Sequence, residues 1–174
     1  MRCAPLAVAF ADDSEELQRV SRDSSRITHA DPRCTHGCAA LNLTIAALLN
    51  GDDQPLVTAL DALDRDAPAS LVDALEPILD GIDPAKLSSS GFVLHTLRTT
   101  LYHALIADTA EAAIVNAVNE GGDTDTIGAV AGAVAGARFG ATALPEHWPD
   151  ALSATTELRE LSQELDRRTF DTSR

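Results

Sequence analysis

The chain has 174 residues, of which 45% are hydrophobic and only 3% aromatic. That is enough for one domain with an aliphatic core of Ala, Leu and Val, which favours packed helices over a β-sandwich. A formal charge of −14, from 13 basic and 27 acidic residues, excludes nucleic acid and anionic membrane surfaces as expected partners. Met1 to Phe10 lacks the cleavage pattern of a signal peptide. The three cysteines form no paired framework, so the expected compartment is the cytoplasm.

In chain order, Asp13 to Ile27 reads as a helix capped by Ser14, with Leu17, Val20 and Ile27 toward one face. His29 follows, and a lone histidine beside a helix start reads as a hydrogen-bonded structural residue. Asp31-Pro32 opens the next helix with an acidic N-cap and a first-turn proline. Cys34, Cys38, Leu41, Ile45 and Leu48 recur at helical spacing as its buried stripe, and Asn50-Gly51 closes it. Cys34, His36 and Cys38 lack the second ligand pair of a zinc knuckle and read as ordinary buried thiols. Two shorter helices follow, over Asp52 to Asp66 and Pro68 to Leu79. Their acids Asp61, Asp64, Asp66, Asp73, Glu76 and Asp80 read as a solvated face. Gly81 to Ser88 reads as a loop and the best place for a mobile segment.

Ser88 to Val93 starts a long helix that runs to about Ala107, with Val93, Leu94, Leu97, Leu101 and Leu105 toward the core. Its serines are either an N-cap or, with bare backbone N–H groups, a phosphate cradle. Thr109 to Asn119 is the next helix, capped by Thr109. Pro145 is expected to end the helix after that, and Trp148 to dock the tail on the core. Asp150 to Arg168 reads as a final amphipathic helix through Leu152, Leu158, Leu161 and Leu165.

Between these last helices lies Gly121-Gly122-Asp123-Thr124-Asp125-Thr126. On a helix, carboxylates two residues apart diverge by about 200°, but a glycine turn lets them point the same way. Asp123, Asp125 and the Thr126 hydroxyl can then converge on one hard cation such as Mg2+. The competing reading is an N-cap with acids in the first turn. Gly128, Gly132, Gly136 and Gly140 then recur every four residues. Interior glycines cost roughly 1 kcal/mol each, so a second backbone is expected to pack close along that ridge. The run is well short of the ~20 apolar residues of a membrane span, and Arg138 interrupts it.

The run Asn119 to Gly132, with Asp123-Thr124-Asp125-Thr126 at its centre, resembles the closing metal motif of the ADP-ribosylglycohydrolase family. The Thr28-His29 and Ser90-Gly91-Phe92 segments and the Pro145…Trp148 tail resemble that family in the same order, over Met1 to about Leu152. The resemblance implies an all-α helical bundle and a hydrolase with two Mg2+ ions. Such an enzyme cleaves the glycosidic bond between ADP-ribose and a modified protein side chain or a small molecule. It implies metal ligation by Asp123, Asp125 and Thr126, with the two aspartates catalytic. His29, Ser90, Gly91, Phe92, Gly121 and Gly122 are implied as substrate contacts.

Met1-Arg2 and Pro5-Leu6 resemble an interior segment of the family, so its N-terminal part, with a second aspartate pair, is expected to be absent from these residues. The expected organisation is a family domain over 1–152, as its C-terminal portion, and a C-terminal helix and tail over 153–174. A separate N-terminal half or a second copy of the chain are the protein partners this implies. The alternative is a non-catalytic member that binds ADP-ribose or acts as a structural or interaction protein.

Overall fold

A computed structural model describes residues 1–172, and every regular element among them is helical. The helices are α1 (Pro5–Ala9), α2 (Ser14–Arg26), α3 (Pro32–Leu49), α4 (Pro55–Ala62) and α5 (Ala69–Leu75) in the first half. Then come α6 (Val93–Ile106), α7 (Ala110–Asn119), α8 (Thr124–Phe139), α9 (His147–Asp150) and α10 (Thr155–Thr172). The fold is the all-α bundle expected from an aliphatic, aromatic-poor composition. Ser173 and Arg174, the end of the expected tail, lie outside the described residues.

Two helical groups meet along α3. Helices α2 and α4 pack on one side of it, and α6 and α8 on the other, with α7 completing a hairpin against α8. The main core runs through Leu41, Ile45, Leu75, Leu97, Leu101 and Val134. A smaller cluster of Leu17, Leu43, Ala46 and Ala59 joins α2, α3 and α4.

Local signals place most helix ends. The Asp31 carboxylate accepts the Arg33 N–H, and Pro32 occupies the first turn of α3. Thr109 caps α7 by accepting the Ala112 N–H at 3.1 Å. Asp13, not Ser14, caps α2, because its carboxylate reaches the Glu16 N–H at 3.0 Å. Arg138 donates to the carbonyls of Ala104 and Ala107 and so satisfies the orphan end of α6.

Packing overturns four expectations. Helix α3 is buried nearly all round from Thr35 to Ala47, while Cys34, Cys38 and Leu48 are only half-buried. A single apolar stripe underestimates a helix enclosed on two sides. Among the described residues no second backbone fills the glycine ridge of α8. Side chains of α7 fill two of its four positions, with Val118 Cγ2 at 3.1 Å from a Cβ built on Gly128 and Ile114 Cδ1 at 3.9 Å from one on Gly132, and Gly136 and Gly140 are open. The tight helix crossing is at Gly37 instead, where a Cβ would meet Leu97 Cδ1 at 2.8 Å.

Helix α8 ends before Pro145, at Gly140, whose φ of 80° breaks it. Helix α10 starts after Leu152 and contacts α1, but Leu158 and Leu161 remain 53% and 55% exposed. Its amphipathic pattern is real, and its apolar face is left more than half open at those two positions.

Candidate active site

The loop before α6 and the turn before α8 are stapled together. Gly121 and Gly122 have φ of 79° and 67°, a region that L-residues with side chains avoid. A Cβ on Gly122 would lie 2.1 Å from the Ser89 carbonyl oxygen, so two backbones touch there. The Asp123 N–H donates to that same carbonyl at 2.9 Å, and the Ser89 hydroxyl donates to the Glu120 carbonyl at 2.9 Å. From below, Thr99 donates to the Ser88 carbonyl at 2.9 Å and Thr96 to that of Ser90 at 3.3 Å. His103 Nε2 and Glu120 Oε1, 2.9 Å apart, brace the other strand of the seam.

This seam forms one wall of a cleft of about 600 Å³. The wall carries Gly91, Phe92, Asp123 and Thr126; α3 opposes it with Arg33, Cys34 and Cys38, and His29 stands at the mouth. A Cβ on Gly91 would come within 3.0 Å of Asp123 Oδ2, so a side chain there would crowd that carboxylate. Of the sequence-derived candidates, His29, Gly91, Phe92, Asp123 and Thr126 therefore share one cleft. Ser90, Gly121, Gly122 and Asp125 stand outside its lining. Ser90 Oγ pairs with His95 Nδ1 at 2.7 Å, and the two glycines shape the turn.

Asp123 occupies the N-cap position of α8, yet its side chain makes no capping hydrogen bond. Its carboxyl instead faces the cleft and lies beside that of Asp125. That neighbour, and the Thr126 N–H donated to Asp125 Oδ1 at 2.8 Å, hold the Asp125 carboxyl below the usual carboxylate range. Two carboxyls side by side need a proton or a cation between them. With the Thr126 hydroxyl nearby, the donors are all oxygen, which suits a hard divalent ion.

Sequence reasoning missed part of the opposite wall. Arg33 is gripped by both oxygens of Asp31, at 2.9 and 2.7 Å, and its guanidinium stands 5.3 Å from the centre of the Phe92 ring. Phe92 also meets His95 edge-on at 5.1 Å. The spacing Asp31-Pro32-Arg33 was the available signal. The cysteines, read as inert core thiols, also face this cleft, and only Cys3 is fully buried.

Asp64 and Asp66, assigned to a solvated face, gather with buried His36, their ligand-type atoms within 4.8 Å of one another. The Arg22 guanidinium stands among them, 2.5 Å from Asp64 and 3.6 Å from Asp66, and supplies a positive charge at that point.

The family model for ADP-ribosylglycohydrolases matches residues 1–173. The chain belongs to the ADP-ribosylglycohydrolase family. It is 30% identical over 166 residues to the ADP-ribosyl-dinitrogen reductase glycohydrolase of Rhodospirillum rubrum, covering 95% of this chain and 53% of that protein. It is 26% identical to human ADP-ribosylhydrolase ARH3, covering 96% of this chain and 56% of the relative. A solved structure described as an ADP-ribosylglycohydrolase-related protein complex superposes with a TM-score of 0.80 at 26% identity. That match covers 94% of this chain and 57% of the solved one. This family member thus spans about half the length of the curated relatives it matches. Among its described residues no helix is long and apolar enough to cross a membrane.

Proposed function

We propose that the cleft binds an ADP-ribosyl group and that the protein hydrolyses its glycosidic bond to a modified protein side chain or a small molecule. The observation that carries this reading is the Asp123 carboxyl. It sits at a helix N-cap, caps nothing, faces the cleft and lies beside Asp125. In this reading Asp123, Asp125 and Thr126 hold Mg2+, which when bound supplies charge stabilisation and orients the ribose hydroxyls. The chain's own residues do the remaining work. Phe92 offers an apolar face for the ligand, and Gly91 leaves Asp123 space to reach it. Gly121 and Gly122 set the turn, His29 borders the bound group, and Ser90, outside the lining, holds His95. Three free cysteines suit a reducing compartment, and the reading places the chain in the cytoplasm.

One observation favours the second reading, ADP-ribose binding without turnover. Among the described residues that line the cleft the carboxylates are Asp31 and Asp123, and Arg33 already engages Asp31. A general base free to activate water is not in place there. A further segment of protein, or a second copy of the chain, is then the source of one.

Thermal melts with Mg2+ and ADP-ribose separate these readings, because a ligand of the folded state raises its stability by mass action. A joint upward shift is expected, with Asp125→Asn weakening Mg2+ at least tenfold, about 1.4 kcal/mol. The helical circular dichroism should be unchanged in that variant. Equal Mg2+ affinity in both proteins sinks the ligand assignment. A shift without release of ADP-ribose from an ADP-ribosylated arginine substrate selects the binding-only reading.

A further inference from the structure

We propose that Arg33 is the anion anchor of the cleft and takes phosphate oxygens from the diphosphate of a bound ADP-ribosyl group. The ligand's identity rests on the ADP-ribosyl reading above; the site rests on the arginine's own surroundings. Arg33 lines the cleft from α3, and its guanidinium stands over the Phe92 ring of the opposite wall, 5.3 Å from the ring centre. It therefore bridges the two walls, and 43% of its side chain is still open to a ligand.

An arginine carries five N–H donors in a rigid planar fork. Asp31 takes one edge of this one, with Nε donating to Oδ1 at 2.9 Å and Nη2 to Oδ2 at 2.7 Å. The Phe92 ring takes one face. Nη1 makes no hydrogen bond to the described residues, so the edge formed by Nη1 and the second N–H of Nη2 is unspent. Such an edge presents two parallel donors, which match two oxygens of one phosphate. Asp31 is itself fixed as the N-cap of α3, where it accepts the Arg33 backbone N–H at 2.9 Å. The hydrogen bonds from Arg33 hold the Asp31 carboxyl down at about 2, so the pair persists at neutral pH.

The charge of the cleft suits a diphosphate better than the charge of the chain does. The whole protein carries −14, which repels such a ligand at long range. Among the described residues that line the cleft, the Lys and Arg side chains are Arg2 and Arg33. Arg2 donates to the Ser24 carbonyl at 2.6 Å and forms no salt bridge with a carboxylate of the described residues, so its charge is uncompensated. The Arg33–Asp31 pair is formally neutral. Arg33 thus recognises phosphate by directed N–H groups at short range, and Arg2 supplies net positive charge to the same cleft.

The test is calorimetric binding of ADP-ribose with Mg2+, and of inorganic pyrophosphate without it, to the full chain and its Arg33 variants. Arg33→Ala is expected to weaken both probes by about tenfold or more, with the helical circular dichroism and the ligand-free melting temperature unchanged. Arg33→Lys keeps the charge and loses the fork, so it should fall well below the wild type. Affinity for adenosine, which has no phosphate, should be the same in all three proteins. Wild-type affinity for ADP-ribose in a folded Arg33→Ala removes the anchor and leaves the ADP-ribosyl reading standing, and an equal loss for adenosine also overturns the anchor. Pyrophosphate held through Arg33 by a chain that does not bind ADP-ribose upholds the anchor and removes that reading. A wild-type chain that binds neither probe overturns both. If Arg33→Ala fails to fold, Arg33→Gln, which keeps a polar stem and loses the charge, decides by the same comparison.

Discussion

The cleft wall and helix α10 both carry strong local sequence patterns, and they end in opposite states. In the wall, the loop before α6 and the turn before α8 are joined by backbone contact at Gly122, by Ser89 and by threonines from α6. In α10, a regular leucine pattern leaves Leu158 and Leu161 more than half exposed. The difference teaches that periodicity predicts an element, whereas contact from a second segment decides what that element is worth. A turn that two segments hold is a constraint; an amphipathic face left mostly open is a surface.

The comparison breaks first at the core beneath the wall. Leu101 is fully buried in α6, and Leu101→Ala should cost about 2–5 kcal/mol in urea denaturation. The matching truncation in α10, Leu161→Ala, should stay within ~0.5 kcal/mol. A loss above 2 kcal/mol at Leu161 would show that α10 is a structural part of the bundle.

A finer contrast lies inside the turn. Gly122→Ala combines a left-handed φ with a clash against the Ser89 carbonyl, and about 2–4 kcal/mol should be lost. Gly121→Ala meets the same φ with no atom within 4 Å, so only the conformational cost of about 1 kcal/mol should appear. Equal losses at the two positions would mean that the seam yields to an added methyl group.

The smallest effect is a titration. The Asp123 carboxyl beside it and the Thr126 N–H lower the Asp125 carboxyl, so the stability it adds is present above the ordinary carboxylate pKa. That stability fades as pH falls through the lower folded value. Carboxyl carbon NMR should find the Asp125 midpoint below 3.8, and Asp123→Ala should move it upward. A midpoint unchanged by Asp123→Ala would separate the two carboxyls.

Much of the site's vocabulary was legible in the chain. Gly121-Gly122 announced a turn, and the two aspartates with Thr126 announced oxygen donors. Three features were not legible. Gly122 meets a carbonyl 33 residues away in sequence, from Ser89. Arg33 reaches across to Phe92. Cys3 and Cys38 line one cleft only once the segment around α1 packs on α3. No local window contains any of these three pairs.

By itself, the sequence determined an all-α chain with an aliphatic core, most helix starts, and a glycine turn bearing Asp123, Asp125 and Thr126. These follow from side-chain periodicity, capping and glycine's backbone freedom, all of which act within a few residues. Only the tertiary structure decided that α3 is buried nearly all round from Thr35 to Ala47 and that Asp123 faces a cleft rather than capping α8. Only it decided that the α10 leucines at 158 and 161 stay exposed. Those outcomes depend on which distant segments meet, and apolar attraction is non-directional, so pattern alone does not choose among partners.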